Sequence, residues 1–365
     1  MTISNRTSRL PRPLILAVFV VALVFALRMA GDSPEAGAQT YYLDSRNGDD
    51  TVEWPTPKSP WRSFARLMSV RLGPGDVVKL RSGSVWREQL RVTGSGTDGR
   101  PIAIGRYGKG ERPRITGSRD CVVISGDNVR VSGLVVDRCG NAAFTLSGYR
   151  DSVRHSRLTR SAIGVYATAS SRGADIWRNY IARNNIMFTN TREPKSDDAG
   201  AFGVLLHGVG AEVAYNTIDG HSAASFDFGR DGSAVELYGA KDSRIHHNRA
   251  SNNQAFVELG LAGTAGNVVS RNTITSNRPG QYGLITRGPD EQFGPVLDTK
   301  FERNRLTMTG RGSIGFVCSG GCGPEVATFT DNVFDIEGDG GFADFRPRMS
   351  GNIFRNGKLE IGSER

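Results

Sequence analysis

No amphipathic helical pattern runs through the middle of this sequence, which argues against a helix bundle or any helix-rich fold. Aromatic residues make up only 8% of the chain. There are 4 cysteines, and Cys318 and Cys322 have no matching His or Cys set that would complete a zinc site. The one long apolar run, Leu14–Leu27, is short of the ~20 residues that a membrane span needs.

What the sequence has in quantity is glycine, 46 residues in 365. Short β-branched or apolar runs such as "CVVISG", "VRVSGLVV", "GVLLH", "AVELY" and "FVELG" end in Gly, Asn or Asp. That texture predicts an all-β chain of many short strands. One small pattern returns throughout: Asn179, Asn216, Asn248, Asn272, Asn304, Asn332 and Asn352 each stand two residues before an apolar or small residue, with Ser132 and Ser156 at the same site earlier. Successive members are about 20 to 37 residues apart, the mark of a solenoid. Each Asn is read as a corner residue that tolerates a left-handed backbone, its amide laddering to the next coil. Ile181, Ile218, Ile274, Leu306, Phe334 and Phe354 then point into the core.

The ends differ from the middle. Arg6, Arg9 and Arg12 precede the apolar run, and "AGA" before Gln39 offers small-residue cleavage after Ala38. Residues 1–38 are read as a cleaved export signal. Arg28, directly after the run, keeps an uncleaved membrane anchor as the alternative. A secreted, periplasmic or cell-surface location follows. Residues 39–120 are expected to form a capping unit and the first strands, 121–357 the repeats proper, and 358–365 a tail. Within the cap, Ser59 and Pro60 begin a short helix whose apolar face is Trp61, Phe64, Leu67 and Met68. A Cys318–Cys322 disulfide is expected in the Gly-rich "CSGGC", whereas Cys121 and Cys139 are read as stacked buried thiols.

The Asn corners, together with the opening module "YYLDSRNGDD…SPWRSF…LGPGDVVKL…GSVWREQL…SGTDGRPIAIGRYGKGERPRI", resemble the secreted right-handed parallel β-helix proteins of the pectate-lyase-like superfamily. The likeness covers about residues 40 to 357. It implies a single-stranded right-handed parallel β-helix and, since many such proteins are polysaccharide lyases or glycoside hydrolases, a carbohydrate substrate. It identifies no subfamily. "TNT", "SDD", "LHG" and "RIH" follow the order of the polygalacturonase pattern, but Thr191 and His246 stand where that pattern has Asp and Lys.

Insertions in a solenoid collect on one face. The longest intervals hold "TNTREPKSDDAG" and "GHSAASFDFGRDGS", predicted to wall a groove near residues 190–260. Arg192, Asp227, Arg230 and Asp231 are the expected substrate-binding residues. Beneath them, strand alternation turns Val235, Leu237, Val257 and Leu259 inward and Glu236 and Glu258 outward, stacked one coil apart. Such a pair can hold Ca²⁺, act as acid and nucleophile, or be neutralised by Arg or Lys. His207, His221 and Lys195 are candidate bases. Adjacent His246 and His247 are expected on opposite sides of a strand, forming no shared ligand face. The net charge of +9 suits an acidic glycan before nucleic acid. The leading expectation is β-elimination of an acidic polysaccharide by a monomeric chain. The alternatives are a glycoside hydrolase with a carboxylate pair, and a non-catalytic glycan-binding or envelope β-helix.

Overall fold

The structure, a computed structural model, describes residues 37–344 and 346–362. The expected export signal therefore lies almost wholly outside the described residues. From Gln39 onward the chain forms one compact unit. It winds through three parallel sheets of 12, 11 and 11 strands, each strand pairing with the equivalent strand of the coils before and after it. Within the three sheets the short apolar runs that end in turn residues pair only in parallel, so each coil closes by stacking on its neighbours. The pairing starts at Thr40–Leu43 and runs to Lys358–Ile361. The coils thus begin well before residue 121, and the expected tail is itself a strand.

The core is the stacked interior of the coils. Ile181, Ile218, Leu306 and Phe334 are fully buried, as the periodicity predicts. Toward the C-terminus the stack becomes aromatic, with the Phe334 and Phe354 rings 4.9 Å apart and nearly parallel. At the N-terminal end the helix is shorter than expected, Phe64–Met68, with Ser63 as its N-cap accepting from the Arg66 N–H. Trp61 precedes the helix rather than opening it. Phe64 and Leu67 are buried, but Met68 is 44% exposed and does not belong to the apolar face. Phe64 stacks on Trp86 at 5.0 Å, which seats the helix on the first coils.

The Asn corners form a continuous ladder. Each Asn Nδ2 donates to the Oδ1 of the Asn one coil on, from Asn179 to Asn216, Asn248, Asn272, Asn304, Asn332 and Asn352, at 2.9–3.1 Å. The left-handed backbone, however, is not on the Asn. It falls on the residue before: Arg178, Tyr215, His247, Arg271, Arg303 and Asp331 have φ of 51° to 57°. The Asn instead stays buried and satisfies the polar groups that the turn would strand, its Oδ1 also accepting the backbone N–H of the preceding Asn. That bonding offsets a conformation unfavourable for side chains with a Cβ.

Both cysteine pairs are disulfides. Cys318–Cys322 agrees with the sequence reading, but Cys121 and Cys139 are also bonded, with Cα atoms 5.8 Å apart. They sit where neighbouring coils bring the chain together, which sequence separation alone did not reveal.

Candidate active site

Four adjacent strands of one 11-stranded sheet, Phe202–Leu206, Ser233–Tyr238, Ala255–Gly260 and Tyr282–Arg287, carry the site. Their alternation turns Val204, Val235, Val257 and Leu284 into the core, all fully buried. The residues that follow them, Leu205, Glu236, Glu258 and Ile285, form an outward row in register. Glu236 and Glu258 are direct partners in this ladder, as predicted. A second outward position holds Tyr238 opposite Gly260. A Cβ at Gly260 would lie 2.4 Å from Tyr238 Cε2, so the absence of a side chain there lets the phenol ring lie flat across the next strand.

The two insertions are antiparallel hairpins. Met187–Thr189 pairs with Ala199–Gly200, and Ala223–Ser225 pairs with Gly229–Asp231. They rise beside the outward row and enclose a cavity of about 320 Å³. Phe188, Phe202, Leu205, Phe228 and Phe293 form its apolar walls; His207, Asp231, Glu236, Tyr238, Glu258 and Arg287 supply polar groups at its floor, and Asp197 and Asp198 of the first insertion also line it. A second cleft of about 510 Å³ shares Phe228, Asp231, Glu258 and Arg287 with the first and continues past Arg230 and Tyr282. The two together make an extended groove with the acids at its waist.

Because the hairpins cover it, Glu236 is not an exposed wall carboxylate; it is only 5% exposed. Burial pushes its pKa well above the usual carboxyl range, and the neighbouring Glu258 and Asp231 push it further. Its Oε2 accepts from Ser233 Oγ at 2.8 Å. Asp231 is likewise raised, to about 7, by burial first and by Glu258 second. Glu258 has a different environment, with Arg287 Nη2 donating to its Oε1 at 2.5 Å. Arg287 is itself held by Leu259 O at 2.8 Å and lies 5.7 Å from the Phe293 ring. Burial works to lower the Arg287 pKa, but Glu258 more than offsets it, so the guanidinium stays charged. Burial raises the pKa of Tyr238. Burial lowers that of His207, whose ring packs edge-on to Tyr166 at 5.3 Å.

Of the residues expected at the site, Glu236, Glu258, His207 and Asp231 come together. Lys195 and Arg192 do not line the cavity: Lys195 is an exposed loop cation near Glu193 and Asp227, and Arg192 covers the Phe226 ring. Asp227 joins the two hairpins, accepting the Asp197 and Asp198 N–H groups. Arg230 folds back onto Ser222, with its Nε 2.8 Å from Ser222 Oγ, and borders only the second cleft. His221 is fully buried and belongs to a second corner ladder: Asn184 Nδ2 lies 3.1 Å from its Nε2, and its Nδ1 lies 2.8 Å from Asn253 Oδ1. A base walled into a corner cannot reach a substrate. His246 and His247 do meet, Nδ1 to Nδ1 at 2.9 Å, because the left-handed backbone of His247 breaks the strand alternation on which their separation was predicted.

Nor does the glutamate pair fit calcium. The Arg287 guanidinium already supplies the positive charge at Glu258, and Glu236 is driven toward its neutral form, which is a poor ligand for a hard cation. Arg287, Tyr238 and the Phe walls were not singled out from the sequence. Arg287 stands at the end of "YGLITRG" much as Tyr238 ends "AVELYG", and aligning those two runs would have found it.

Residues 197–357 match the family model described as the right-handed beta helix region. The uncharacterized protein YwoF of Bacillus subtilis (strain 168) is 31% identical over 173 residues, which is 46% of this chain and 33% of that relative. The chain's match thus spans about a third of the curated relative's length. Among solved structures, an alginate lyase from Paenibacillus sp. str. FPU-7 superposes with a TM-score of 0.57 at 14% identity, over 90% of this chain and 99% of the other. Pectate lyase Pel9A gives 0.52 at 15% identity, over 91% and 80%. The complex of XylC with xylose gives 0.57 at 13% identity, over 89% and 85%. At such identities the likeness is one of fold. The chain is a right-handed parallel β-helix, the fold anticipated from its Asn corners and opening module.

Proposed function

We propose that this protein is a glycoside hydrolase acting in the groove between its two hairpins, with Glu236 as general acid and Glu258, paired with Arg287, as the nucleophile. The observation that carries this reading is the register pairing of two glutamates in opposite environments. One is desolvated, which pushes its pKa up; the other is paired with the Arg287 guanidinium. Two carboxyls set apart in this way are what hydrolysis of a glycosidic bond needs. Backbones in the same sheet are ~4.8 Å apart, close to the short carboxyl separation of retaining enzymes rather than the wide one of inverting enzymes. Phe188, Phe228 and Phe293 offer faces for pyranose rings, and the export expected from the N-terminal sequence would suit a glycan substrate.

Lyase chemistry on an acidic polymer, the leading expectation from sequence, finds less support in the geometry. A uronate would enter a waist that holds Asp231, Glu236 and Glu258 against one cation already paired. Burial favours neutral His207, which could take a proton, but among the described residues the guanidinium that lines the cavity, Arg287, is already paired with Glu258. The similarity to alginate and pectate lyase structures keeps a polysaccharide as the substrate class without choosing between the reactions.

The deciding experiment is a panel of neutral and uronate oligosaccharides. Reducing-end release without unsaturated products, and with the product anomer retained by NMR, is expected. Ultraviolet absorbance from unsaturated uronates would replace hydrolysis with elimination. Binding on a glycan array with no turnover of any member would leave a non-catalytic receptor.

A further inference from the structure

The hairpins also meet at three carboxylates that hydrolysis leaves unused. Asp197 and Asp198 stand at the end of the first insertion, and Asp227 lies in the turn of the second. One oxygen from each lies within 4.8 Å of one from each of the others. Asp227 N–H donates to Asp198 Oδ2 at 3.0 Å, and the Asp197 and Asp198 N–H groups donate in return to Asp227 Oδ2 at 3.0 and 3.3 Å. Asp198 also accepts from Ser225 Oγ and from the Thr191 N–H, both at 2.7 Å.

A second observation concerns Asp227 Oδ1. The Asp227 side chain is 2% exposed, its Oδ2 is taken by the two backbone donors, and its Oδ1 accepts no hydrogen bond. The near cation is Lys195, whose Nζ stands 4.0 Å away, beyond hydrogen-bond range, on a side chain 63% exposed. A desolvated carboxylate oxygen without a donor, set against two further acids, is unfavourable as it stands. Hard divalent cations with oxygen ligands match such a group. Backbone donors orient the Asp198 and Asp227 carboxylates, and the Thr191 hydroxyl holds that of Asp197, so little ordering remains to be done on binding.

We infer that Asp197, Asp198 and Asp227 bind a calcium-class divalent cation that clamps the two hairpins over the groove. Lys195 neutralises part of the cluster when no ion is bound and swings out when one enters. Water and backbone carbonyls complete the shell, since calcium takes six to eight oxygens. Asp197 and Asp198 border the cavity that holds the glutamates, but cation binding is read without substrate, so its failure is distinguishable from failure of the hydrolytic reading.

The test is calcium titration of the chelator-treated full chain, read by calorimetry and by thermal melting. One saturable site is expected, together with a melting temperature that rises with calcium concentration. Asp197→Asn should weaken binding about tenfold or more, and Asp227→Asn should weaken it further. Lys195→Ala should tighten it by removing the competing ammonium, and Glu236→Gln should leave it unchanged. Because the Asp227 side chain is buried, its variant needs a folding check; Asp197 is the safer probe. Absence of saturable binding in both the parent and Lys195→Ala overturns the proposal. So does binding that Asp197→Asn leaves intact.

Discussion

Glu236 and Glu258 face each other across adjacent parallel strands, yet only Glu258 touches a cation. The asymmetry comes from the next coil, which places Arg287 against Glu258 and leaves Glu236 beneath the hairpins. It predicts unequal stability effects for two substitutions that should both stop catalysis. Glu236→Gln replaces a neutral buried acid with a neutral isostere and should stay within ~1 kcal/mol of the parent. Glu258→Gln strands a largely buried guanidinium and should destabilise by about 2 kcal/mol, below the range for fully buried pairs because both side chains keep some exposure. Loss of the general acid should lower kcat by about 10²–10⁴-fold. Thermal melts beside turnover measurements check both; equal melting losses would mean the two acids share one environment.

The dependence of stability on pH has two opposed sources. His221 is held neutral in its ladder with a pKa lowered by burial to about 4, against about 6.5 in the unfolded chain. Between those values the unfolded state binds the extra proton, so stability from His221 rises with pH and is lost on acidification. Asp231 is raised to about 7 against about 3.9 unfolded, so there the native state binds the extra proton and stability falls as pH rises across that window. Asp151, also raised by burial to about 7, acts with Asp231. Each shift is on the order of 3–4 kcal/mol at about 1.4 kcal/mol per pH unit. The contributions oppose one another from about pH 4 to 6.5. Asp231→Asn should therefore steepen the loss of stability toward acid, and His221→Asn should weaken it. Denaturant midpoints across that range would show this, and parallel profiles for the two variants would refute it.

The ladder itself gives a positional prediction. Asn248→Ala removes the bonds to Val213 O and Asn272 Oδ1 and leaves the Asn216 N–H and amide without their acceptor. With each stranded buried group worth ~1–3 kcal/mol, the loss should be at least about 3 kcal/mol. Asn352, at the less buried end, should lose markedly less on the same change. Equal losses at both positions, read from chemical denaturation, would argue against a cooperative buried row.

Much of this was legible in the sequence because a solenoid repeats its chemistry. The period exposed the Asn row, and strand alternation exposed the outward glutamates. The second ladder was equally available: Asn184, His221 and Asn253 are separated by 37 and 32 residues, the same intervals as Asn179, Asn216 and Asn248. His221 sits in an Asn column, and its residue type drew attention to chemistry that its column excludes. Burial of Glu236 was not legible, because it depends on how far the hairpins lean over the sheet. The closeness of His246 and His247 depends on one left-handed residue, which no alternation rule contains. The Cys121–Cys139 bond likewise depends on the three-dimensional path of two coils.

Arg287 carries the last prediction. Its guanidinium is the positive charge at a waist that holds Asp231, Glu236 and Glu258. Replacing it with Met would leave Glu258 beside two acids with no counter-charge, which disfavours its ionised form. The nucleophile would be lost even though its side chain remained in place. Arg287→Met should therefore lower kcat by about 10²-fold or more, with activity partly recovered as pH rises and Glu258 ionises again. Arg287→Lys keeps the charge but loses the fork that spans Glu258 and Leu259 O, and should retain intermediate activity with a smaller shift of the profile. A pH–rate comparison of parent, Lys and Met forms checks this directly. If the Met form loses activity with its pH profile unmoved, Arg287 supports the fold of the groove and does not set the charge of Glu258.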